Sequence, residues 1–177
     1  MRPVDQSIQP GDGGWGIITE FAAFKYFGNT VTYASGSYMF NPREQNDFDR
    51  DPSILVQDPL TRHLSIADQF AARVGVGTAV KKRIGLSLAA RLEGVPSSDV
   101  IGGELGRRRP GYSVGIEPGV AYTFKTSAIS LSMPFYVRRV RTQSYSDKVQ
   151  SDLRGTHVQG DAAFADYMVV VGITTRF

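Results

Sequence analysis

Residues 163–177 read Ala-Phe-Ala-Asp-Tyr-Met-Val-Val-Val-Gly-Ile-Thr-Thr-Arg-Phe, and this stretch decides the fold. Taking every second residue back from the last position collects one face, made of Phe177, Thr175, Ile173, Val171, Val169, Tyr167 and Ala165. The opposite face carries Arg176, Thr174, Gly172, Val170, Met168 and Asp166. Because successive side chains of a strand point to opposite sides, this period of two predicts a β-strand.

The length of this strand suits a membrane. Tyr167 and Phe177 flank its β-branched residues, and at about 3.3 Å per residue and a tilt of about 40° they span about 25 Å, the height of the apolar band of an outer-membrane barrel. An aromatic residue that closes such a face resembles the C-terminal strand of bacterial outer-membrane β-barrels. That resemblance implies that Phe177, with Ile173 and Tyr167, belongs to the signal read by the barrel assembly machinery. The alternative is an edge strand of a soluble sandwich.

Six more segments with strand character precede this one, at residues 15–27, 30–40, 68–80, 84–93, 112–124 and 128–140. The connections between the segments alternate strictly between short turns and long polar loops, the long ones being 41–64, 94–111 and 143–162. Tight periplasmic turns and longer extracellular loops are typical of an up-and-down membrane barrel. With the C-terminus in the periplasm, every short turn falls there and every long loop falls outside.

The predicted fold class is therefore all-β, an antiparallel up-and-down transmembrane β-barrel of the bacterial outer membrane. We expect one domain over residues 1–177, with 1–14 as an extracellular loop segment and the strands and loops from 15 to 177. About seven strands are visible, or eight if residues 53–56 form one, whereas bacterial single-chain barrels use even numbers. No signal peptide is evident. We therefore expect the chain to be the C-terminal part of a larger barrel.

The amino-acid composition of the chain excludes several classes of protein and site. A chain of 177 residues supports one domain, and the absence of cysteine excludes a disulfide framework and a thiolate zinc site. The net charge of +3 is too mild for a nucleic-acid binder, so no nucleic-acid partner is predicted. No apolar run approaches the roughly 20 residues of a membrane helix. The mean hydropathy of -0.19 fits a barrel, whose strands alternate apolar and polar residues.

Several motifs together carry a family resemblance. They are Asp5-Gln6-Ser7 with Pro10-Gly11-Asp12-Gly13-Gly14-Trp15-Gly16; Tyr33-Ala34-Ser35-Gly36-Ser37-Tyr38 followed by Asn41-Pro42-Arg43; Asp68-Gln69-Phe70; Arg91-Leu92-Glu93-Gly94-Val95-Pro96; and Arg108-Arg109-Pro110-Gly111-Tyr112 followed by Glu117-Pro118-Gly119. They resemble a group of bacterial outer-membrane barrel proteins sometimes described as transporters. The resemblance implies the barrel fold and the outer-membrane location, and it implies no established substrate.

The face opposite the apolar one is the candidate lumen. Small residues there leave room, and the charged residues predicted to line it are Arg73, Arg91, Glu93, Glu117, Arg138 and Asp166. They predict either a water-filled pore whose charges select solutes or an internal salt-bridge network that plugs the interior. Because an isolated charge is costly in a low-dielectric interior, we expect Arg91, Glu93 and Glu117 to pair in both cases.

Two loop motifs suggest binding. Asp47, Asp49, Asp51 and Asp58, with Ser53, follow the oxygen-ligand spacing of a calcium loop, but Pro52 stands where that loop needs Gly, so a solvated acidic loop is the default interpretation and no cofactor is predicted. Arg107, Arg108 and Arg109 are candidates for contact with lipopolysaccharide phosphates, since guanidinium groups match phosphate oxygens, and pairing with loop acids is the alternative. Lys81-Lys82-Arg83 is interpreted as a solubilising turn.

The sequence gives no catalytic motif. The two histidines, His63 and His157, lie in predicted loops, and we predict no enzymatic activity. The expected function is a passive channel or transporter for small solutes, with outer-membrane lipid, lipopolysaccharide and the barrel assembly machinery as partners. The alternatives are a plugged structural or interaction barrel with functional loops, and a soluble lipocalin-like barrel whose apolar faces point inward.

Overall fold

The computed structural model describes residues 14–49, 63–160 and 164–176, without the side chains of 46–49. The described strands and helix are, in chain order, β1 (Ile17–Phe27), β2 (Thr30–Phe40), β3 (Gln45–Asp49), β4 (His63–Ser65), β5 (Gln69–Lys81), β6 (Ile84–Val95), β7 (Gly111–Thr123), β8 (Ser127–Ser132), β9 (Phe135–Arg141), α1 (Tyr145–Arg154) and β10 (Val170–Thr175). The molecule is mostly β, as the sequence predicts.

The main sheet is antiparallel throughout and follows the order β1-β2-β5-β6-β7-β8-β10, while β9 pairs with the other half of β7. Strand β8 lies against residues 119–123 of β7 and β9 lies against residues 111–116. The two are one interrupted strand, because the Met133 amide between them still donates to the Pro118 carbonyl at 3.0 Å. The sheet therefore has seven strand positions, and the sequence prediction of seven antiparallel strands is confirmed.

The prediction of one continuous strand over 128–140 was wrong. The break falls at Met133-Pro134, where proline has no amide hydrogen to donate to the ladder. Pro118 causes no such break in β7, because residues 111–122 of this strand pair with β6 in unbroken register. The irregularity lies in the neighbouring strand, where a register shift occurs opposite Val114 and Gly115.

The sheet curls into a half-barrel and remains open. Within the described residues, β1 pairs only with β2, and β10 pairs only with β8. Six antiparallel steps separate β1 from β10, so the two edge strands run in the same direction. They cannot join each other as an antiparallel pair, and closure into an all-antiparallel barrel requires an odd number of additional strands between them.

The two faces of the curl differ sharply in chemistry. Register partners share a face, and the convex face carries exposed apolar side chains on β5, β6, β7, β8 and β10, including Val74, Val76, Leu86, Leu88, Leu92, Ile116, Val120, Ile129, Leu131, Val171 and Ile173. Among the described residues the buried hydrophobic side chains are Ile66, Ala89 and Tyr136. This part of the chain therefore lacks the apolar core that a soluble domain of this size builds.

The long connections meet at the end of the sheet opposite the short turns. Strands β3 and β4 pair within the predicted loop 41–64, and Leu64 of β4 forms a parallel bridge with Arg107 of the loop 94–111. The predicted strand at 53–56 lies outside the described residues. Ile66, beside β4, is almost fully buried beneath these connections.

The third long connection contains helix α1, where the sequence analysis expected only loop. Ser144 caps the helix by accepting a hydrogen bond from the Asp147 amide, and the Asp147 carboxylate accepts from the Ser144 amide in return. Gly155 ends the helix at φ 65°, a conformation that favours glycine. The helix is held by its caps and carries no broad apolar stripe, which explains why a search for apolar periodicity misses it.

Candidate functional site

A row of polar side chains crosses the concave wall at one level. Arg73 of β5 and Arg91 of β6 are direct register partners, and the row continues through Ser35 of β2 on one side and Gly115 of β7 on the other. Two arginines directly opposite each other on neighbouring strands repel. The fold therefore needs an acid close to both of them.

Glu117 of β7 is that acid. Its Oε1 lies 2.6 Å from a terminal nitrogen of Arg73, and its Oε2 lies 3.6 Å from a terminal nitrogen of Arg91. The Glu117 side chain is only 2% exposed, whereas Arg73 and Arg91 are about one-third and one-quarter exposed. A buried carboxylate thus bridges two partly solvated guanidinium groups.

A second acid completes the cluster on the loop side. The Nε of Arg91 donates to Oε2 of Glu93 at 2.7 Å, and the hydroxyl of Tyr136 donates to Oε1 of the same carboxylate. Tyr136 is buried, and it reaches this position from β9 across β7. The predicted pairing of Arg91, Glu93 and Glu117 is therefore what the structure shows. We call Arg73, Arg91, Glu93, Glu117 and Tyr136 the charge cluster.

Small residues on the concave face bring further polar atoms to the cluster. A Cβ on Gly75 would stand 2.7 Å from the hydroxyl oxygen of Tyr33, so glycine makes room for that ring. The Arg73 guanidinium lies over the Tyr33 ring at 5.1 Å, a cation–π arrangement. Three buried polar atoms beside the cluster have no hydrogen-bond partner: the Tyr33 hydroxyl, Nε of Arg73 and Oε2 of Glu117.

A cavity of about 560 Å³ opens from the charge cluster toward the short turns. Its floor is formed by Arg73, Arg91 and Glu117, and its mouth by the turn residues Lys81, Lys82 and Arg83. Small or hydroxyl-bearing residues line the walls between them, namely Gly77, Gly85, Ser87, Gly119, Ser130, Ser132 and Gly172. The volume is that of a small-molecule pocket, and the arrangement can hold a polar solute against two guanidinium groups and one carboxylate.

Comparison of the chain with models of known protein families, with curated proteins and with solved structures finds no match. The family that the sequence motifs resemble is therefore not identified. What the structure shows is an all-antiparallel curled sheet with apolar side chains on its convex face and a charge cluster on its concave face.

Four of the predicted lumen residues, Arg73, Arg91, Glu93 and Glu117, do come together on the concave face. Arg138 does not, because the register shift in β9 pairs it with Val114 of the convex face and pairs Arg139 with Ser113 of the concave face. Arg139 instead holds Asp166, at 2.5 Å, and Asp166 is mostly exposed. Alternation alone could not locate this shift.

A separate polar cluster ties the loops to the sheet. Arg108 donates two parallel hydrogen bonds to Asp99, at 2.9 and 2.8 Å, and Asp99 accepts from the amide of Asp68. Asp68 in turn accepts from the Tyr38 hydroxyl and the Asn41 amide. Asp68, Asp99 and Arg108 are all buried. We call these three residues the loop latch.

The loop latch corrects one binding prediction. Arg108 cannot contact lipopolysaccharide phosphates while its guanidinium is buried against Asp99, so the pairing alternative holds for this residue. Arg107 is half-buried in the bridge to β4, and Arg109 is exposed. Of the three arginines, only Arg109 keeps the exposure that the prediction requires.

The other predicted sites are placed only in part. Asp51, Asp58 and Phe177 lie outside the described residues, and Asp47 and Asp49 lie on β3 with side chains that are not described. Ile173 and Tyr167 are exposed on the convex face, where Tyr167 forms a bridge with Phe135. Among the described side chains, no group of three or more histidines and acids is arranged to hold a metal ion. In the same part of the chain, no helix is long and apolar enough to cross a membrane.

Proposed function

We propose that this protein forms the wall of a bacterial outer-membrane β-barrel and passes small solutes along its concave, charged side. The proposal rests on the distribution of side chains between the two faces of the sheet, which carries apolar residues outside and charged residues inside. Leu88 and Val74 are more than half exposed on the convex face, while Glu117, on the concave face of the same sheet, is 2% exposed. An apolar exterior around a polar interior is the arrangement of a membrane barrel.

The convex face favours lipid over water by a large margin. Full transfer of one Val, Leu or Ile side chain out of water is worth about 1.5–3 kcal/mol, and this face presents such side chains on β5, β6, β7, β8 and β10. Monomeric soluble proteins rarely expose contiguous apolar patches of this extent. The lipid of the outer membrane is accordingly the first partner in the proposal.

Aromatic residues lie at both ends of the convex face. Tyr122 and Phe124 flank the β7–β8 turn, and Phe70 and Tyr112 are register neighbours of Gly94 at the loop end. Aromatic rings at both borders of an apolar band are typical of membrane barrels, because their amphipathic rings sit at the headgroup level. Ile173 and Tyr167 belong to the same face, and in the proposal they serve with Phe177 as the signal for the assembly machinery.

In this proposal, small solutes pass through the space on the concave side of the curled sheet. The charge cluster and the cavity beside it supply fixed charges and small walls, which are the elements that select solutes in a pore. Closure needs an odd number of further antiparallel strands between β10 and β1, and the proposal holds whichever polypeptide segment supplies them.

One experiment tests this function directly. The chain is refolded from urea with and without detergent, and the folded product is added to a planar lipid bilayer. We expect folding only in detergent or lipid, followed by stepwise conductance. A soluble, folded monomer in buffer alone overturns the membrane proposal.

The mutual pairing within the charge cluster favours one other function, a plugged barrel that acts through its loops. Glu117 and Glu93 neutralise the two arginines, and the loop latch fixes the long connections. Detergent-dependent folding without any conductance would support that alternative, with Arg109 as the exposed candidate for lipopolysaccharide contact. A lipocalin-like barrel is disfavoured, since the apolar faces of β5, β6, β7, β8 and β10 point outward.

A further inference from the structure

We propose that the cavity between the charge cluster and the short turns attracts small anions. This names the solute class for the passage proposed above and rests on that proposal for its biological role. The charges that line the cavity carry the inference: Arg73, Lys81, Lys82, Arg83 and Arg91 are cationic, and Glu117 is the single acid among the lining residues.

The mouth of the cavity supplies uncompensated positive charge. Lys81, Lys82 and Arg83 occupy the β5–β6 turn and its border, all three are exposed, and none forms an ion pair within the described part of the chain. From the sequence alone, this turn is interpreted as solubilising. The structure places it at the entrance of a concave site, where like charges concentrate the field and raise the local concentration of counter-ions.

The floor of the cavity presents two guanidinium groups to an anion that has entered. The side chains of Arg73 and Arg91 stay 34% and 25% exposed although both are paired with Glu117. The carboxylates at the floor are ion-paired: Glu117 lies between two arginines, although its buried Oε2 accepts no hydrogen bond, and Glu93 is held by Arg91 and Tyr136. A cation in the cavity therefore has little unpaired carboxylate to bind. An anion is attracted both by the β5–β6 turn and by the guanidinium groups of Arg73 and Arg91.

The test measures the electrostatic potential inside the cavity and needs no conducting pore. The chain has no cysteine, so Ser87→Cys introduces a unique thiol on the cavity wall. Its modification rate is measured with an anionic reagent, 2-sulfonatoethyl methanethiosulfonate, and with the cationic trimethylammonium analogue. The rate with the anionic reagent is divided by the rate with the cationic reagent. This quotient is then divided by the same quotient measured for 2-mercaptoethanol, a small thiol with no other charged group, which gives the normalised ratio.

We expect the normalised ratio at position 87 to favour the anionic reagent by about fivefold at low salt. It should fall toward one in 1 M salt, where the Debye length is about 3 Å. Adding Lys82→Glu and Arg83→Glu should lower it by at least about threefold. Lys125→Glu is the matched control, because Lys125 lies in the neighbouring short turn and does not line the cavity, and it should change the ratio by less than about 1.5-fold.

A normalised ratio at or below one overturns the inference, as does a ratio that the paired Lys82 and Arg83 changes leave unaltered. Ser130→Cys, on β8 and lining the same cavity, gives an independent thiol if the first variant misfolds. Failure of the proposed function would be seen separately, as folding without detergent or absence of conductance. If a pore does form, its reversal potential in a salt gradient should show preference for chloride over potassium.

Discussion

Arg73 and Glu117 form an ion pair of 2.6 Å across two strand positions, and the carboxylate side is almost fully buried. Glu117 sits in this place because β5 and β6 bring Arg73 and Arg91 opposite each other. The pair is therefore the contact on which the polar interior of the half-barrel depends. Removing the acid leaves Arg73 without its acidic partner, directly opposite Arg91, which keeps only Glu93.

Glu117→Gln should lower the free energy of unfolding by about 2 kcal/mol or more, since breaking a buried ion pair leaves an unpaired charge. The measurement is urea unfolding in lipid or detergent. Arg139→Gln is the control, because its partner Asp166 is 80% exposed and surface pairs contribute about 0–1 kcal/mol. Equal effects of the two changes would contradict the bridging role of Glu117, and Arg73→Gln added to Glu117→Gln should recover part of the loss.

Arg108→Ala should loosen the loop end of the molecule. The change leaves the buried Asp99 carboxylate without the two hydrogen bonds from Arg108, and only the one from the Asp68 amide remains, a local cost of about 3–5 kcal/mol. Limited proteolysis should then cut within residues 96–108 at least about tenfold faster. Arg109→Ala removes a neighbouring, exposed arginine and should leave the cutting rate unchanged. Equal cutting of both variants would show that the loop latch does not hold these connections.

Gly75→Ala should be destabilising by about 1–3 kcal/mol, the usual range for overpacking. The added methyl would stand 2.7 Å from the Leu88 carbonyl oxygen, which is backbone and cannot turn away. Gly85→Ala on the neighbouring strand meets nothing closer than the Thr78 carbonyl oxygen at 3.7 Å, so we expect a change of less than about 0.5 kcal/mol. Urea midpoints of the two variants check this, and a neutral Gly75→Ala would mean that β5 and β6 are further apart than described.

The substitution Leu88→Arg tests whether the convex surface faces lipid or water. In a membrane, arginine near the middle of the lipid face costs about 2–4 kcal/mol, whereas Thr126→Arg in the β7–β8 turn should cost about 0–1 kcal/mol. Both positions are exposed, so in water neither change has a reason to destabilise. The measurement is the unfolding free energy in lipid vesicles. Equal costs at the two positions would speak against a lipid-facing convex side.

Local patterns in the sequence were enough to predict the strands of the sheet. Period-two alternation placed the segments that became β1, β2, β5, β6 and β7 to within a few residues, and it assigned Val74 and Leu88 to the face opposite Arg73 and Arg91. The rule succeeds there because the side-chain period of a regular strand is fixed by backbone geometry. It also led to the expectation that Arg91, Glu93 and Glu117 would pair, since unpaired interior charges are costly.

Alternation failed where the regular geometry ends. The shift opposite Val114 exchanges the faces of Arg138 and Arg139, and no residue type at that point signals it. Pairing of the loop arginines with loop acids was one of the two predictions, but Asp99 as the partner of Arg108 was out of reach, because that contact depends on how the loop folds back on itself. Tyr33 and Tyr136 join the charge cluster from other strands, so their roles depend on strand neighbours that a single sequence does not specify.

The sequence by itself determined the strand character, the two chemically distinct faces and the alternation of short and long connections, because each of these is a local property of the chain. Only the tertiary structure decided that Glu117 bridges Arg73 and Arg91 and that the Lys81-Lys82-Arg83 turn lines a cavity. It also decided that β1 and β10 run in the same direction at the open edges of the sheet. These properties arise from strand order, register and curvature, which bring together residues far apart in the chain.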